Sequence, residues 1–345
     1  MNNIKALDRL AGDSSCITIT VHIHPDGDAI GSGTALMAYL SGCRGKDAVL
    51  VVPGAVPDSL AFITEGLREG CVIEYDKDPE GSLDRIRRSD LLFCLDCSSY
   101  SRTTPEMEAL LRGSEAPKVL IDHHLNPDTP TYSLVFSETE TSSTCELLYK
   151  ILKQMPDIEG RTERLPLEGR TALMAGMTTD TNNFANSVWP GTFEMASDLI
   201  ASGVDRDAIL CNLYNSYREN RLRLMAHLVG EKMKVTPWGA AYMVLDRETQ
   251  ERFDFQEGES EGFVNIPLSI KEVKMSIFLT AEKDRFRVSV RSKRGISANR
   301  FAMQYFNGGG HENAAGGKLY YGEGIASPED AEAYILKVSG LFLKK

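Results

Sequence analysis

Two histidines and two aspartates lie within seven residues near the start of the chain, in the segment His22-Ile-His-Pro-Asp-Gly-Asp28. An apolar, β-branched run precedes this segment and a helical run follows it, so the polar side chains fall at a strand-to-helix turn. Open α/β sheets bind their ligands at the carboxyl ends of strands. Carboxylates combined with imidazoles favour a hard or borderline cation such as Mn²⁺ or Mg²⁺ over a zinc ion bound by thiolates. The segment therefore predicts a metal site that uses His22, Asp26 and Asp28.

Two other interpretations of this segment compete with a metal site. The glycines at positions 27, 31 and 33 could form a phosphate-binding turn, but their spacing is not G-x-G-x-x-G. Alternatively, His22 is a hydrogen-bonded strand histidine and the two aspartates are turn residues and helix caps. The segment alone does not separate this second alternative from a metal site, so the remaining ligands must decide.

Further candidate ligands follow two other apolar strands and one helical segment. They are Asp96 after the run 91–95; Asp122, His123 and His124 after the run 118–121; and Asp180 shortly after the helical run 166–177. Each of these residues alone could be a turn former or a helix cap. Three strands that all end in Asp or His at the same sheet edge favour one shared site instead.

The elements that must position these residues form an α/β protein with two domains. Apolar runs that alternate with helical segments indicate a parallel sheet covered on both faces; we expect strands at 16–22, 48–52, 71–74, 91–95 and 118–121, and helices near 28–42, 58–66, 81–88 and 105–112. Helices are expected next at 193–201, 206–213 and 221–232, followed by strands at 240–245, 274–281 and 286–291 and helices at 297–305 and 328–343. The predicted organisation is a catalytic domain over 1–190, a helical linker over 191–235 and a smaller α/β domain over 236–345.

Composition excludes several classes of protein. The 345 residues carry a formal net charge of −11, which argues against a protein that coats duplex DNA, because such binding needs broad basic surfaces. We expect no membrane span, because no apolar run approaches about 18 residues, and the N-terminus lacks the apolar segment of a signal peptide. The expected location is the cytoplasm. Seven cysteines in mostly apolar surroundings predict reduced thiols, and the pair Cys94 and Cys97 is interpreted as buried strand residues.

The candidate ligands, taken together, resemble a known family. The set His22-x-x-x-Asp26-x-Asp28, Asp96, Asp122-His-His124 and Asp180 resembles the four motifs of the DHH phosphoesterase superfamily. The segment Gly308-Gly-Gly-His311-Glu-Asn-Ala-Ala-Gly-Gly resembles the glycine-rich signature of the associated DHHA1 domain. The order and length of the two domains are similar to those of the nanoRNase and pAp-phosphatase branch. The resemblance thus implies an N-terminal DHH domain with a parallel sheet, and a C-terminal DHHA1 domain joined to it by the helical linker.

The resemblance also implies roles for these residues around two Mn²⁺ ions, with Mg²⁺ as an alternative. One ion would be held by His22 and Asp26, the other by Asp28, His123 and Asp180, and Asp96 would bridge the two. Asp122 would orient the histidines, His124 would face the second ion or the substrate, and Arg102 would contact the substrate phosphate.

The second domain is expected to select the substrate. Three consecutive glycines allow backbone amides to approach an anion closely, and arginine suits bidentate phosphate contacts. The predicted substrate-binding residues are Arg291, Ser292, Gly308, Gly309, Gly310 and His311.

The predicted function is a manganese-dependent phosphoesterase that acts through a water activated by two metal ions. Its expected substrates are very short RNA oligonucleotides, cleaved to mononucleotides, and 3′-phosphoadenosine 5′-phosphate (pAp), converted to AMP. Alternatives are hydrolysis of cyclic dinucleotides or of their linear products, and a non-catalytic nucleotide-binding protein. Inorganic pyrophosphatase activity is disfavoured by the glycine-rich signature, and a long-strand exonuclease by the lack of a basic channel with stacking aromatics. A homodimer is possible.

Overall fold

The computed structural model describes residues 2–322 and 325–344, and it divides into two compact units. The first unit ends at Ser216 and the second begins at Tyr217. This division lies inside the stretch 191–235, whose function as a linker remains a prediction. Among the described residues, no helix combines the length and the apolar character that a membrane span requires.

The first unit is built on a parallel sheet, as predicted, but the sheet has six strands rather than the five expected. Its strands are β1 (Cys16–Thr20), β2 (Asp47–Val52), β3 (Val72–Glu74), β4 (Leu91–Leu95), β5 (Lys118–Asp122) and β6 (Leu134–Ser137). The strand order is β3-β2-β1-β4-β5-β6, so the order reverses between β1 and β4. A crevice opens at such a reversal, outside the carboxyl ends of the strands. The three strands expected to end in ligands, β1, β4 and β5, are neighbours at this point.

Helices cover both faces of this sheet. They are α1 (Asn2–Asp13), α2 (Gly27–Gly42), α3 (Pro79–Arg88), α4 (Pro105–Gly113), α5 (Thr144–Lys153), α6 (Leu167–Asp180), α7 (Pro190–Ala201) and α8 (Arg206–Tyr214). One face of the sheet packs on a large apolar core with α2, α5 and α6. The other face packs on a smaller core with α3 and α4. Both faces are thus buried, which explains the nearly continuous apolar character of the strands.

Several elements differ from the sequence predictions. Strand β1 ends at Thr20, because its ladders with β2 and β4 end there. The segment expected as a helix over 58–66 is a 3₁₀ helix, Asp58–Ile63, confined between Pro57 and the left-handed Gly66. Helix α6 continues to Asp180 rather than ending at residue 177. The elements α1, β6 and α5 were not predicted.

The second unit contains a six-stranded mixed sheet, which confirms the predicted second α/β domain. Its strands are β7 (Lys234–Val235), β8 (Ala240–Leu245), β9 (Met275–Ala281), β10 (Arg285–Ser292), β11 (Gly309–Gly310) and β12 (Ala314–Tyr320), in the order β11-β12-β10-β9-β8-β7. Its helices are α9 (Glu219–His227), which continues as a π-helical turn to Lys232, then α10 (Arg247–Arg252), α11 (Ala298–Tyr305) and α12 (Ala331–Leu343). Phenylalanines 286, 301 and 306 lie in the apolar core of this unit.

Helices α2 and α6 approach each other until their backbones touch. A Cβ atom at Gly31 would lie 2.6 Å from the carbonyl oxygen of Ala172, and one at Gly176 would lie 2.8 Å from the carbonyl oxygen of Gly27. Side chains larger than hydrogen are therefore excluded at this crossing. The close approach brings the first turn of α2, which carries Asp28, beside the last turn of α6, which ends at Asp180.

We predict that Gly176→Ala destabilises the protein by roughly 1–3 kcal/mol, the usual range for an overpacked core. Urea unfolding measures this change. Gly12→Ala is the matched control, because Gly12 lies in α1 and a Cβ there would meet no atom within 4 Å. The control should be neutral or stabilising by up to about 1 kcal/mol, since alanine is the better helix former. Equal stability of the two variants would contradict the proposed role of the α2–α6 contact.

Candidate metal centre

The nine residues that the sequence singles out in the first unit lie together at the carboxyl ends of β1, β4 and β5. They are His22, Asp26, Asp28, Asp96, Arg102, Asp122, His123, His124 and Asp180. These residues form three groups, and within each group the donor atoms lie within 4.8 Å of one another, so that each group could hold a metal ion. The groups are His22, Asp26 and Asp96; Asp28, His123 and Asp180; and Asp96, Asp122 and His124. The predicted spatial convergence is therefore present, while the role of each residue remains a prediction.

His22 directs one ring nitrogen at two carboxylates. Its Nδ1 lies 2.9 Å from the carbonyl oxygen of Ile23, and a bond there requires Nδ1 to carry the hydrogen. In the neutral ring the other nitrogen, Nε2, then carries the free lone pair, and it lies 3.5 Å from Asp96 Oδ2 and 3.8 Å from Asp26 Oδ1. This nitrogen is buried and has no hydrogen-bond partner within the described part of the chain. A buried imidazole nitrogen in this situation fits a cation ligand.

Asp26 also caps helix α2. Its Oδ1 accepts hydrogen bonds from the backbone N–H groups of Asp28 and Ala29, at 3.0 and 3.1 Å. The interpretation as a helix cap is therefore correct for Asp26, but it does not exclude a ligand role, because the same carboxylate faces His22.

A second group forms where the start of α2 lies near the ends of β5 and α6. His123 Nε2 lies 3.7 Å from Asp28 Oδ2 and 3.5 Å from Asp180 Oδ2. Asp28 is almost completely buried, and its two oxygens accept backbone hydrogen bonds from Thr144 and Cys145, at 2.7 and 2.8 Å. The first turn of α5 therefore fixes the orientation of this carboxylate.

Asp96 lies between the two groups. Its Oδ2 faces His22 Nε2 at 3.5 Å, while its Oδ1 faces His123 Nε2 at 3.6 Å. The residue has a left-handed backbone with φ of 54°, which is uncommon for a residue with a side chain and is concentrated at functional sites. One carboxylate thus presents an oxygen to each group, which is the geometry that a bridging ligand needs.

His124 lies beside these groups but is engaged on both ring nitrogens. Its Nδ1 lies 2.8 Å from Asp122 Oδ1, and its Nε2 lies 3.4 Å from the guanidinium of Arg102. The Arg102 guanidinium also approaches the Asp96 carbonyl oxygen and the Ser98 hydroxyl, each at 3.5 Å. This arrangement suits an orienting or substrate-facing role for His124 better than direct metal ligation, and it places a positive charge at the edge of the acidic cluster.

The electrostatics of the cluster favour a bound cation. Burial, reinforced by the charge of Asp96, raises the pKa of Asp28 to about 7, and burial together with Asp28 holds the pKa of Asp180 above its usual range. Burial and Arg102 lower the pKa of His22, but the carboxylates of Asp26 and Asp96 outweigh them and raise it to about 10. The negative charges of these buried carboxylates are therefore unfavourable unless a proton or a positive charge lies beside them, and bound divalent cations would supply that charge. Carboxylate oxygens suit hard cations such as manganese and magnesium, and imidazole nitrogens suit borderline transition metals.

Sequence reasoning missed the residues that support this cluster. The Thr144 hydroxyl donates to Asp96 Oδ1 at 3.0 Å, in addition to the backbone bonds that this turn makes to Asp28. A signal was present in Ser143-x-x-Glu146, which is typical of a helix start. Ser143 indeed caps α5, because its hydroxyl accepts from the Glu146 N–H at 3.0 Å.

The predicted substrate residues of the second unit lie near β11 and the adjacent end of β10. The His311 N–H donates to the Ala314 carbonyl at 2.7 Å, and Arg291 pairs with Ala314 in the β10–β12 ladder. These two residues therefore flank the same position of β12. The Ser292 hydroxyl donates to the Ile296 carbonyl at 2.6 Å and accepts from Asn313 at 3.0 Å, so it already stabilises its own loop.

The glycines of this unit have a structural function that the sequence did not indicate. A Cβ atom at Gly308 would collide with the backbone of Gly316, and one at Gly310 would lie 2.7 Å from the Ala314 carbonyl oxygen. Gly310 also has φ of 144°, and its N–H donates to the Asn299 side chain at 3.0 Å. Only glycine at positions 308 and 310 permits β11 to pack this closely on β12. A Cβ at Gly309 would make ordinary contacts, the nearest at 3.5 Å. Binding of a substrate by these residues remains a prediction.

Comparison with known proteins assigns both units to families. Residues 16–177 match the DHH family, N-terminal domain, and residues 239–339 match the DHHA1 domain. The chain is 26% identical, over 304 residues, to the bifunctional oligoribonuclease and PAP phosphatase NrnA of Bacillus subtilis (strain 168), covering 87% of this chain and 88% of that protein. It is 29% identical, over 318 residues, to the cyclic-di-AMP phosphodiesterase PdeA of Listeria monocytogenes serotype 1/2a (strain 10403S), covering 90% of this chain and 46% of that protein.

A solved structure shows the same fold. The exopolyphosphatase-related protein from Bacteroides fragilis is 35% identical and superimposes with a TM-score of 0.89, covering all of this chain and 98% of that one. The resemblance inferred from the motifs is confirmed by the matches to both family models. The chain belongs to the DHH family of phosphoesterases and is a hydrolase of phosphoester bonds that carries a C-terminal DHHA1 domain.

Proposed function

We propose that this protein uses two Mn²⁺ ions to hydrolyse very short RNA oligonucleotides to mononucleotides and pAp to AMP. The observation that carries the proposal is the position of Asp96, whose two carboxylate oxygens face two separate groups of ligands. The similarity to an oligoribonuclease and PAP phosphatase over most of both chains supports the choice of substrate. Mg²⁺ could replace Mn²⁺, because the donor atoms suit both.

The geometry of the first unit supports a role for each residue in this proposed reaction. His22 and Asp26 would hold one cation, Asp28, His123 and Asp180 the other, and Asp96 would contact both. When bound, two divalent cations acidify an attacking water and neutralise charge on the phosphoryl oxygens. Asp122 would hold the His124 ring in place, and His124 in turn contacts the Arg102 guanidinium. Arg102 would then offer its remaining N–H groups to the phosphate, which suits the planar guanidinium.

The second unit would bind the nucleotide. In this proposal Arg291 and His311 contact a phosphate or the sugar and base, with the backbone N–H groups of Gly308 and Gly309 as additional donors. Gly310 would shape the same segment, since its own N–H already donates to the Asn299 side chain. Ser292 would contribute through its remaining acceptor capacity. A 5′-phosphorylated dinucleotide and pAp both present a nucleoside that carries phosphoryl groups on its 5′ and 3′ oxygens, so one pocket could serve both substrates. The cytoplasmic location and the homodimer remain predictions.

A second candidate function is hydrolysis of cyclic or linear dinucleotides of the cyclic-di-AMP type. Similarity to a cyclic-di-AMP phosphodiesterase over 90% of this chain favours it. The chain spans less than half of that protein's length, 46%. A direct comparison of substrates is therefore needed to separate the two candidates.

We predict that Asp96→Asn lowers kcat/KM on pAp by at least about 100-fold and weakens Mn²⁺ binding, because an amide is a poorer cation ligand than a carboxylate. Isothermal titration with Mn²⁺ and a phosphate-release assay measure the two effects. Asp84→Asn is the matched control, since it also neutralises one aspartate but lies on the exposed surface of α3 beside Arg87. Unchanged metal affinity in Asp96→Asn would contradict the proposed ligand role.

We also predict turnover of pAp and of a diribonucleotide by the Mn²⁺-loaded protein, and loss of both activities on chelation. Cyclic-di-AMP and pyrophosphate are assayed alongside them. Turnover of cyclic-di-AMP alone would favour the second candidate function. No turnover of any of the four would favour a non-catalytic nucleotide-binding protein.

The assignment of specificity to the second unit has its own test. His311→Ala should lower kcat/KM on pAp at least about tenfold more than on bis(p-nitrophenyl) phosphate, because only the nucleotide would use the second unit. Lys283→Ala serves as the control and should alter neither activity. Lys283 lies in the turn between β9 and β10, at the end of β10 opposite to Arg291. An equal loss on both substrates in His311→Ala would show that His311 does not act in nucleotide selection.

A further inference from the structure

The first turn of α5 contacts two carboxylates that arrive from different elements. The backbone N–H of Thr144 donates to Asp28 Oδ2 at 2.7 Å, and that of Cys145 donates to Asp28 Oδ1 at 2.8 Å. The hydroxyl of Thr144 donates to Asp96 Oδ1 at 3.0 Å. Thr144 is itself fully buried. A single residue therefore ties the start of α2 to the end of β4.

These two carboxylates face the same histidine through the oxygens that Thr144 contacts. Asp28 Oδ2 lies 3.7 Å and Asp96 Oδ1 lies 3.6 Å from His123 Nε2. Two carboxylates that face the same ring nitrogen carry like charges and repel each other, and they belong to different elements of the chain. Hydrogen bonds from one residue to both of them would set their separation and the orientation of the oxygens.

Several hydrogen bonds hold the turn that carries Thr144 in place. Ser143 caps α5, and the buried Glu146 carboxylate accepts from the Ser142 N–H at 3.0 Å and from its hydroxyl at 2.6 Å. The same carboxylate accepts from the Thr192 hydroxyl of α7 at 2.7 Å. Lys150 offsets its charge at 2.6 Å. The turn that carries Thr144 is thus held by hydrogen bonds to its own helix and to α7, independently of the two carboxylates.

We propose that Thr144 is a positioning residue that fixes the Asp28 and Asp96 carboxylates relative to each other, so that the two cation positions form together. The inference rests on the proposed function, since it concerns the same metal centre. Thr144 acts only through the two carboxylates and is not assigned any contact with substrate. Substitution of a residue that hydrogen-bonds a metal ligand typically lowers metal affinity or activity by about 10–100-fold.

The test compares three substitutions in the full-length protein. Thr144→Val keeps the branched shape and the backbone bond to Asp28 but removes the hydroxyl donor to Asp96. Thr144→Ser keeps the hydroxyl, and Thr144→Ala provides a second variant without it should the valine variant fail to fold. Thr34→Val is the matched control, because Thr34 is also buried but its hydroxyl has no hydrogen-bond partner within the described residues.

We expect Thr144→Val to bind Mn²⁺ roughly 10–100-fold more weakly in isothermal titration. Its kcat on pAp should fall at limiting Mn²⁺ and recover in part as Mn²⁺ is raised, while KM for pAp changes little. Thr144→Ser should stay within about threefold of the unsubstituted protein in Mn²⁺ affinity, and Thr34→Val should equal it. Thermal unfolding of each variant without Mn²⁺ separates this outcome from a role confined to folding, because excess Mn²⁺ would also restore a merely destabilised variant by mass action.

Two results would overturn the proposal: Mn²⁺ affinity in Thr144→Val equal to that of the unsubstituted protein, or Thr144→Ser impaired as strongly as Thr144→Val. Failure of the proposed function is distinguishable. If the unsubstituted protein binds Mn²⁺ but hydrolyses none of the phosphoesters, the proposed function fails, whereas the affinity comparison still decides the role of Thr144. If it binds no Mn²⁺, both proposals fall.

Discussion

The burial of several carboxylates at one sheet edge is the constraint on which the rest of the first unit depends. Asp28, Asp96 and Asp122 are almost fully buried, and a buried charge costs several kcal/mol unless it is paired and hydrogen-bonded. The protein offsets part of this cost with three histidines, Arg102 and the N–H groups of α5. The remaining demand for positive charge, seen in the raised pKa of Asp28 and of His22, suits divalent cations.

Three features of the fold bring these charged side chains together. The order of the parallel sheet makes β1, β4 and β5 neighbours, so residues that follow them in sequence meet in space. The glycine contact between α2 and α6 brings Asp28 and Asp180 to the same place. A left-handed backbone at Asp96 turns its carboxylate towards both groups. Each of these features places a buried charged side chain beside groups that offset the free-energy cost of its burial.

The sequence predicts those parts of the site that are local. Strands that end in Asp or His are visible as apolar runs followed by polar residues, so the residue pattern is enough to place His22, Asp96 and His123 at one edge of the sheet. The residue pattern does not identify Thr144, because its contact with Asp28 uses a backbone N–H, which almost any residue type could supply. Gly308 and Gly310 were interpreted as anion-binding, whereas their closeness to β12 is a packing requirement that only the three-dimensional arrangement shows. Ser292 likewise carries a loop contact that depends on Asn313.

The most direct test of the account is anomalous diffraction at the manganese edge from crystals of the full chain grown with Mn²⁺. The account predicts two anomalous peaks per chain, one contacted by His22 and Asp26, the other by Asp28, His123 and Asp180, with Asp96 contacting both. A cluster that binds no Mn²⁺, or one ion held without Asp96, would contradict it.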